Sequence, residues 1–153
     1  MKSDGIFKQA IAVFIVALAA YIVAYRAIED RRTRNGPWQI AFTNDAAGIP
    51  ALVIDQPKLA ITNVMINFPE ATGNRPTNFA ALDLTQPRAV PFNVPFGQCI
   101  FMDTTSLPGT IVLEIFGHEI QLLPRVLTVD KVEHPWRAGA QLTLTFRPIA
   151  PSP

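Results

Sequence analysis

The chain has 153 residues, 49% hydrophobic and 16% charged, with 14 Pro, 8 Gly, one Cys and a formal net charge of +1. That length is one ordinary domain and excludes a multidomain enzyme, while a single Cys excludes an internal disulfide framework and a cysteine-based structural zinc site. Residues 1–37 carry six of the 13 basic side chains, leaving seven basic against nine acidic from Trp38 onward, a net charge of −2. A body so weakly charged has no electrostatic footprint for nucleic acid.

In chain order, the first element is an apolar helix. Gln9 to Tyr25 reads QAIAVFIVALAAYIVAY with no charge, and Ile6, Phe7, Ala27 and Ile28 extend it. At 1.5 Å per residue these limits give about 26 to 34 Å of helix, which brackets the roughly 30 Å hydrocarbon core of a bilayer. Lys8 and Arg26 stand where long side chains snorkel to the headgroups, and Tyr21 and Tyr25 supply an interfacial aromatic belt. Ala17-Leu18-Ala19 resembles a signal-peptidase site, but the apolar run continues through Tyr25, longer than a signal h-region, so a retained span is expected.

Glu29, Asp30, Arg31, Arg32 and Arg34 follow the span, with Glu29–Arg32 and Asp30–Arg34 at helical pairing distance. Asn35-Gly36-Pro37 then ends the helix, Gly suiting the C′ position and Pro being unable to continue. Residues 1–37 therefore form the transmembrane helix with a short connector, and 38–153 an all-β domain. Ala17, Ala20, Ala24 and Ala27, at spacings of three and four, share one face where another helix could approach closely. With Tyr21, Tyr25 and Trp136 they are the candidate partner-binding residues.

Sidedness draws on two opposed signals. Counting basic residues on each side of the span favours a cytoplasmic body. A body with only Lys58 and Lys131 as lysines, rich in Pro, Thr and Asn, resembles exported domains, and an extracytoplasmic body on a bacterial inner membrane is the expectation.

From Trp38 the apolar period becomes two. Trp38, Ile40 and Phe42 alternate with polar or small residues, as do Val90, Phe92, Val94 and Phe96. Further strands are expected at Ala51–Asp55, Ile61–Phe68, Phe79–Thr85, Cys99–Asp103, Thr110–Phe116, Glu119–Leu123, Val126–Val132 and Leu142–Phe146. Nine or ten short strands with Pro, Gly and Asn between them predict an antiparallel β-sandwich or barrel-like domain. Pro91 and Pro95 confine the Val90–Phe96 strand to a sheet edge, because proline cannot donate to a ladder. Gly117-His118 reads as a hairpin turn, Leu107-Pro108-Gly109 as a turn with Gly in the left-handed region, and residues 134–139 as a loop. Glu70–Asn78 is the most loop-like stretch, and Ala150–Pro153 a tail.

The residues that could carry chemistry are few. His118 and His134 lie at no metal-binding spacing and read as polar turn and loop residues, and Cys99 sits in an apolar strand where a thiol serves as a small core hydrophobe. Asp55 and Asp103 end apolar strands, a common place for turn-forming side chains. Phe92, Phe96, Phe101, Trp38 and Trp136 could form an aromatic platform, with Trp136 its best member because a loop need not bury it. No catalytic residue, metal or cofactor is expected. The sequence points to a non-catalytic, single-span accessory or structural subunit of a membrane complex, with a respiratory or photosynthetic assembly as a natural host. The other reading is an anchored β-sandwich that binds a small ligand, a glycan or an envelope protein through loops near Arg75, His134 and Trp136.

Overall fold

A computed structural model describes residues 3–71 and 80–145. It separates into two units, residues 1–34 and 35–153. The first contains α1, Ser3–Thr33, a continuous helix of 31 residues. Residues 5–33 are long and apolar enough to cross a membrane, a test that a leader sequence also meets. Its aliphatic side chains are exposed on every side, from Ile6 and Phe7 to Ile28. Water would make such a surface costly, at about 25 cal/mol per Å² of apolar area, whereas lipid removes that cost. At its polar end Arg32 pairs with Glu29 at 3.2 Å, and Gly36 follows at φ +72°, the left-handed conformation that suits glycine past a helix end.

The second unit is a two-sheet sandwich. Its strands are β1 (Gln39–Asn44), β2 (Pro50–Gln56), β3 (Ile61–Asn67), β4 (Ala80–Leu82), β5 (Phe92–Val94), β6 (Gly97–Met102), β7 (Ile111–Ile115), β8 (His118–Leu123), β9 (Val126–Val129), β10 (Val132–Pro135) and β11 (Gln141–Thr143). One sheet runs β11-β3-β2-β1-β4 and the other β10-β9-β8-β7-β6-β5. Every pairing is antiparallel except β11 with β3.

Period-two alternation explains the core. Ile40, Phe42, Leu52, Ile54, Val64 and Ile66 from one sheet meet Leu113, Ile115, Ile120, Leu122, Leu127 and Val129 from the other in a single cluster. Each fully buried aliphatic or aromatic side chain contributes about 1.5 to 3 kcal/mol. Phe42, wholly buried, also meets Phe96 edge-on at 5.8 Å between centroids.

The strand with flanking prolines takes the expected place, since β5 is the outermost strand of its sheet. Three local expectations are corrected. The β7–β8 turn is Phe116-Gly117 at φ +50° and +80°, and His118 is already paired with Ile115 as the first residue of β8. The stretch Val126–Val132 is two strands, because Asp130 and Lys131 take φ +48° and +68° and reverse the chain, so residues 132–135 pair back onto β9 instead of forming a loop. Gly109 is not at positive φ. Its need is space, since a Cβ there would collide with the Asp103 carbonyl. Arg75, most of the loop Glu70–Asn78, Phe79, Phe146 and the tail Ala150–Pro153 lie outside the described residues.

Candidate functional site

The polar side chains buried within the sandwich come first, because burial without a partner is costly and each needs a reason. Gln56 at the end of β2 donates from Nε2 to the carbonyls of Gly36 and Pro37, at 3.2 and 2.8 Å. It ties the connector into the β domain. His118, only 4% exposed, holds Asp130 Oδ2 at 2.7 Å through Nδ1 and the Thr145 carbonyl at 2.9 Å through Nε2. Asp130 Oδ1 also accepts the Glu119 N–H at 3.0 Å. One carboxylate thus joins the β9–β10 turn to β8, and one imidazole joins β8 to the chain leaving β11.

A His–Asp pair is also the orienting half of a nucleophilic triad, in which the second ring nitrogen faces the nucleophile. Here that nitrogen faces a main-chain carbonyl. Both ring nitrogens are thus engaged by partners within the fold. The geometry is that of a structural clamp. The expectation of a polar turn histidine is corrected. His118 is in phase with Ile120 and Leu122, and that alternation was the signal of its inward aim.

The acidic residues are spent locally. Asp103 Oδ1 accepts the N–H and hydroxyl of Thr105 at 2.8 and 2.7 Å, and Asp83 does the same with Thr85. Hydrogen bonding to Thr105 holds the Asp103 carboxyl below its ordinary range, and Thr85 does so for Asp83. Asp55 Oδ1 accepts the N–H of Asn63, which sits at φ +52°. Cys99 is wholly buried, and burial pushes its thiol up from the usual value. Among the described residues no three His, Cys, Asp or Glu side chains gather as a metal site.

The aromatic residues do not assemble into one platform. Trp38 is buried and donates from Nε1 to the Gly109 carbonyl at 2.7 Å. Phe96 stacks on Phe116 at 5.2 Å, and Phe101 is 48% exposed. Trp136 is half-buried, packs on Trp38 at 5.3 Å and donates to the Leu123 carbonyl at 2.8 Å. Its ring forms a wall of a cleft of about 230 Å³ whose other lining includes Val64, Leu127, His134, Arg137 and Leu142. The cleft lies where β10 and β11, the outer strands of the two sheets, are joined by residues 136–140. His134 and Trp136 therefore do share a concavity.

On the helix, about 100° per residue places Ala17, Ala20, Ala24 and Ala27 within about 80° of arc. All four are exposed. Tyr21 and Tyr25 lie together beside one edge of that arc, with stacked rings 6.3 Å apart.

Comparison with known proteins returned no matching family, no similar curated protein and no similar solved structure.

Proposed function

We propose that the chain is a non-catalytic, single-span subunit of a membrane protein complex, anchored by α1 and holding its β-sandwich at the membrane surface against partner subunits. The observation that carries this reading is the helix. Its side chains are apolar and exposed all round. Lipid satisfies most of that surface, and the arc of four alanines, with Tyr21 and Tyr25 beside one edge, offers a face where a second helix backbone packs closely. The histidine and carboxylates of the body are engaged in holding turns and strand ends, which supports a scaffold role. A bacterial inner membrane with an extracytoplasmic body is the location proposed, with an energy-transducing assembly as host.

The test is extraction in mild detergent, pulldown and mass spectrometry. A defined set of co-purifying membrane subunits is expected, and the double substitution Ala20→Leu and Ala24→Leu should deplete them while the β domain keeps its circular dichroism. Migration as a lone monomer removes the subunit reading, and unchanged co-purification of the double variant removes the helix face from it. The cleft at Trp136 favours a second reading, an anchored binding module.

A further inference from the structure

We propose that the cleft at Trp136 binds the apolar portion of an anionic single-chain amphiphile, such as a fatty acid or lysophospholipid, with Arg137 receiving the anionic head. Four observations carry it.

The cleft has the right size and lining. Apolar cavities of about 150 Å³ stay dry and take benzene-sized guests, and this one is about 230 Å³, walled by Val64, Leu127, Trp136 and Leu142. It is also built in advance of any ligand. The Trp136 ring is fixed by its bond to the Leu123 carbonyl and by Trp38, and residues 136–140 are clamped to β3 by Gly139 N–H on Thr62 and Met65 N–H on Ala140. A wall already ordered has less freedom to lose on binding.

Charge selects the head. Arg137 is exposed at the cleft and forms no ion pair among the described residues. A guanidinium presents paired donors that match a carboxylate or phosphate. His134 is the other ionisable group of the lining, which does not include Glu133. Finally, supply is local. Trp38, which packs on the wall residue Trp136, stands five residues of chain beyond the end of α1. On the anchored reading, the chain between the end of α1 and Trp38 spans at most about 3.5 Å per residue. The bilayer as source rests on the anchored reading, whereas the cleft does not.

Both tryptophans of the chain border or support the cleft, so intrinsic fluorescence reports it directly. The full chain in dodecyl maltoside is titrated with dibrominated stearate, and separately with the brominated alcohol of equal length. Saturable quenching is expected, with the acid about tenfold tighter than the alcohol. Arg137→Gln should remove that tenfold preference and leave the alcohol unchanged. Ala140→Leu should fill the cleft and abolish saturable quenching by both, with far-UV circular dichroism retained. Quenching that is only linear in the unsubstituted chain is partition into the micelle, and it overturns the proposal, as does saturable quenching that persists in Ala140→Leu. Equal affinity for acid and alcohol in the unsubstituted chain overturns the anionic assignment. Alkaline carbonate extraction of membranes tests the anchor separately: a soluble chain that still quenches saturably would refute the bilayer as source and keep the cleft.

Discussion

At the scale of single residues, His118 is the side chain on which most of the sandwich's polar order depends. Its two ring bonds and the Glu119 N–H on Asp130 connect β8, the β9–β10 turn and the segment after β11. His118→Leu preserves bulk but removes the Oδ2 partner of a partly buried carboxylate, a loss of about 1 to 3 kcal/mol. Urea unfolding of the full chain in detergent should show it, and a double-mutant cycle with Asp130→Asn should give a coupling above about 1 kcal/mol. Additive losses would mean that the two side chains act separately. Cys99 gives a prediction in pH. Burial raises its thiol above the ordinary value of 9.0, so the folded state keeps its proton where the unfolded chain releases it. Stability is fully present below pH 9 and falls as pH rises past it. Cys99→Ala should flatten that alkaline limb, and in the folded protein Ellman's reagent should leave the thiol untouched at pH 8. Rapid labelling of the native chain would show that β6 opens and exposes Cys99.

At the scale of elements, the turns decide where strands begin, and they were the least legible part of the sequence. The Val126–Val132 run carries its reversal at Asp130-Lys131, without the glycine that usually announces a tight hairpin. Both residues pay for positive φ in the left-handed region, where lysine has no local advantage. Lys131 is exposed, so Lys131→Gly should stabilise the domain by about 0.5 to 1 kcal/mol, read as a higher urea midpoint at unchanged slope. A lower midpoint would mean that the lysine stem contributes packing that outweighs the backbone. By contrast, prolines and alternation were sufficient for other elements. Pro91 and Pro95 remove donors and so fixed β5 as an edge, and the apolar run from Gln9 to Tyr25 could be nothing but a helix or a leader. His118 was legible through its phase with Ile120 and Leu122. Its polarity and the preceding Gly117 suggested a turn instead, because a one-residue shift in the reversal exchanges inside for outside. The cleft at Trp136 was legible as a concavity near His134 and Trp136, but its Val64, Leu127 and Leu142 walls were not. Those walls depend on β10 and β11 ending two different sheets at a shared margin, a property of topology that no local window contains.

At the scale of the whole molecule, the proposed anchor makes the side of the membrane decisive, because that determines which partners and which ligands the sandwich can meet. Four arginines follow the span, and positive-inside arithmetic favours a cytoplasmic body. The body itself has two lysines, nine acidic groups and many prolines, a composition that suits an exported surface. Protease added to intact spheroplasts separates the two. An extracytoplasmic body is digested, leaving a protected fragment that contains α1, whereas a cytoplasmic body survives until the membrane is lysed. The sandwich resists cleavage when folded, so a protease site placed in the exposed Pro69–Glu70 turn makes the readout independent of unfolding. Digestion in intact spheroplasts is the expected result. Full protection there, with cleavage after lysis, would reverse the orientation and leave the fold, the His118 clamp and the Trp136 cleft as they stand, since none of them depends on the side.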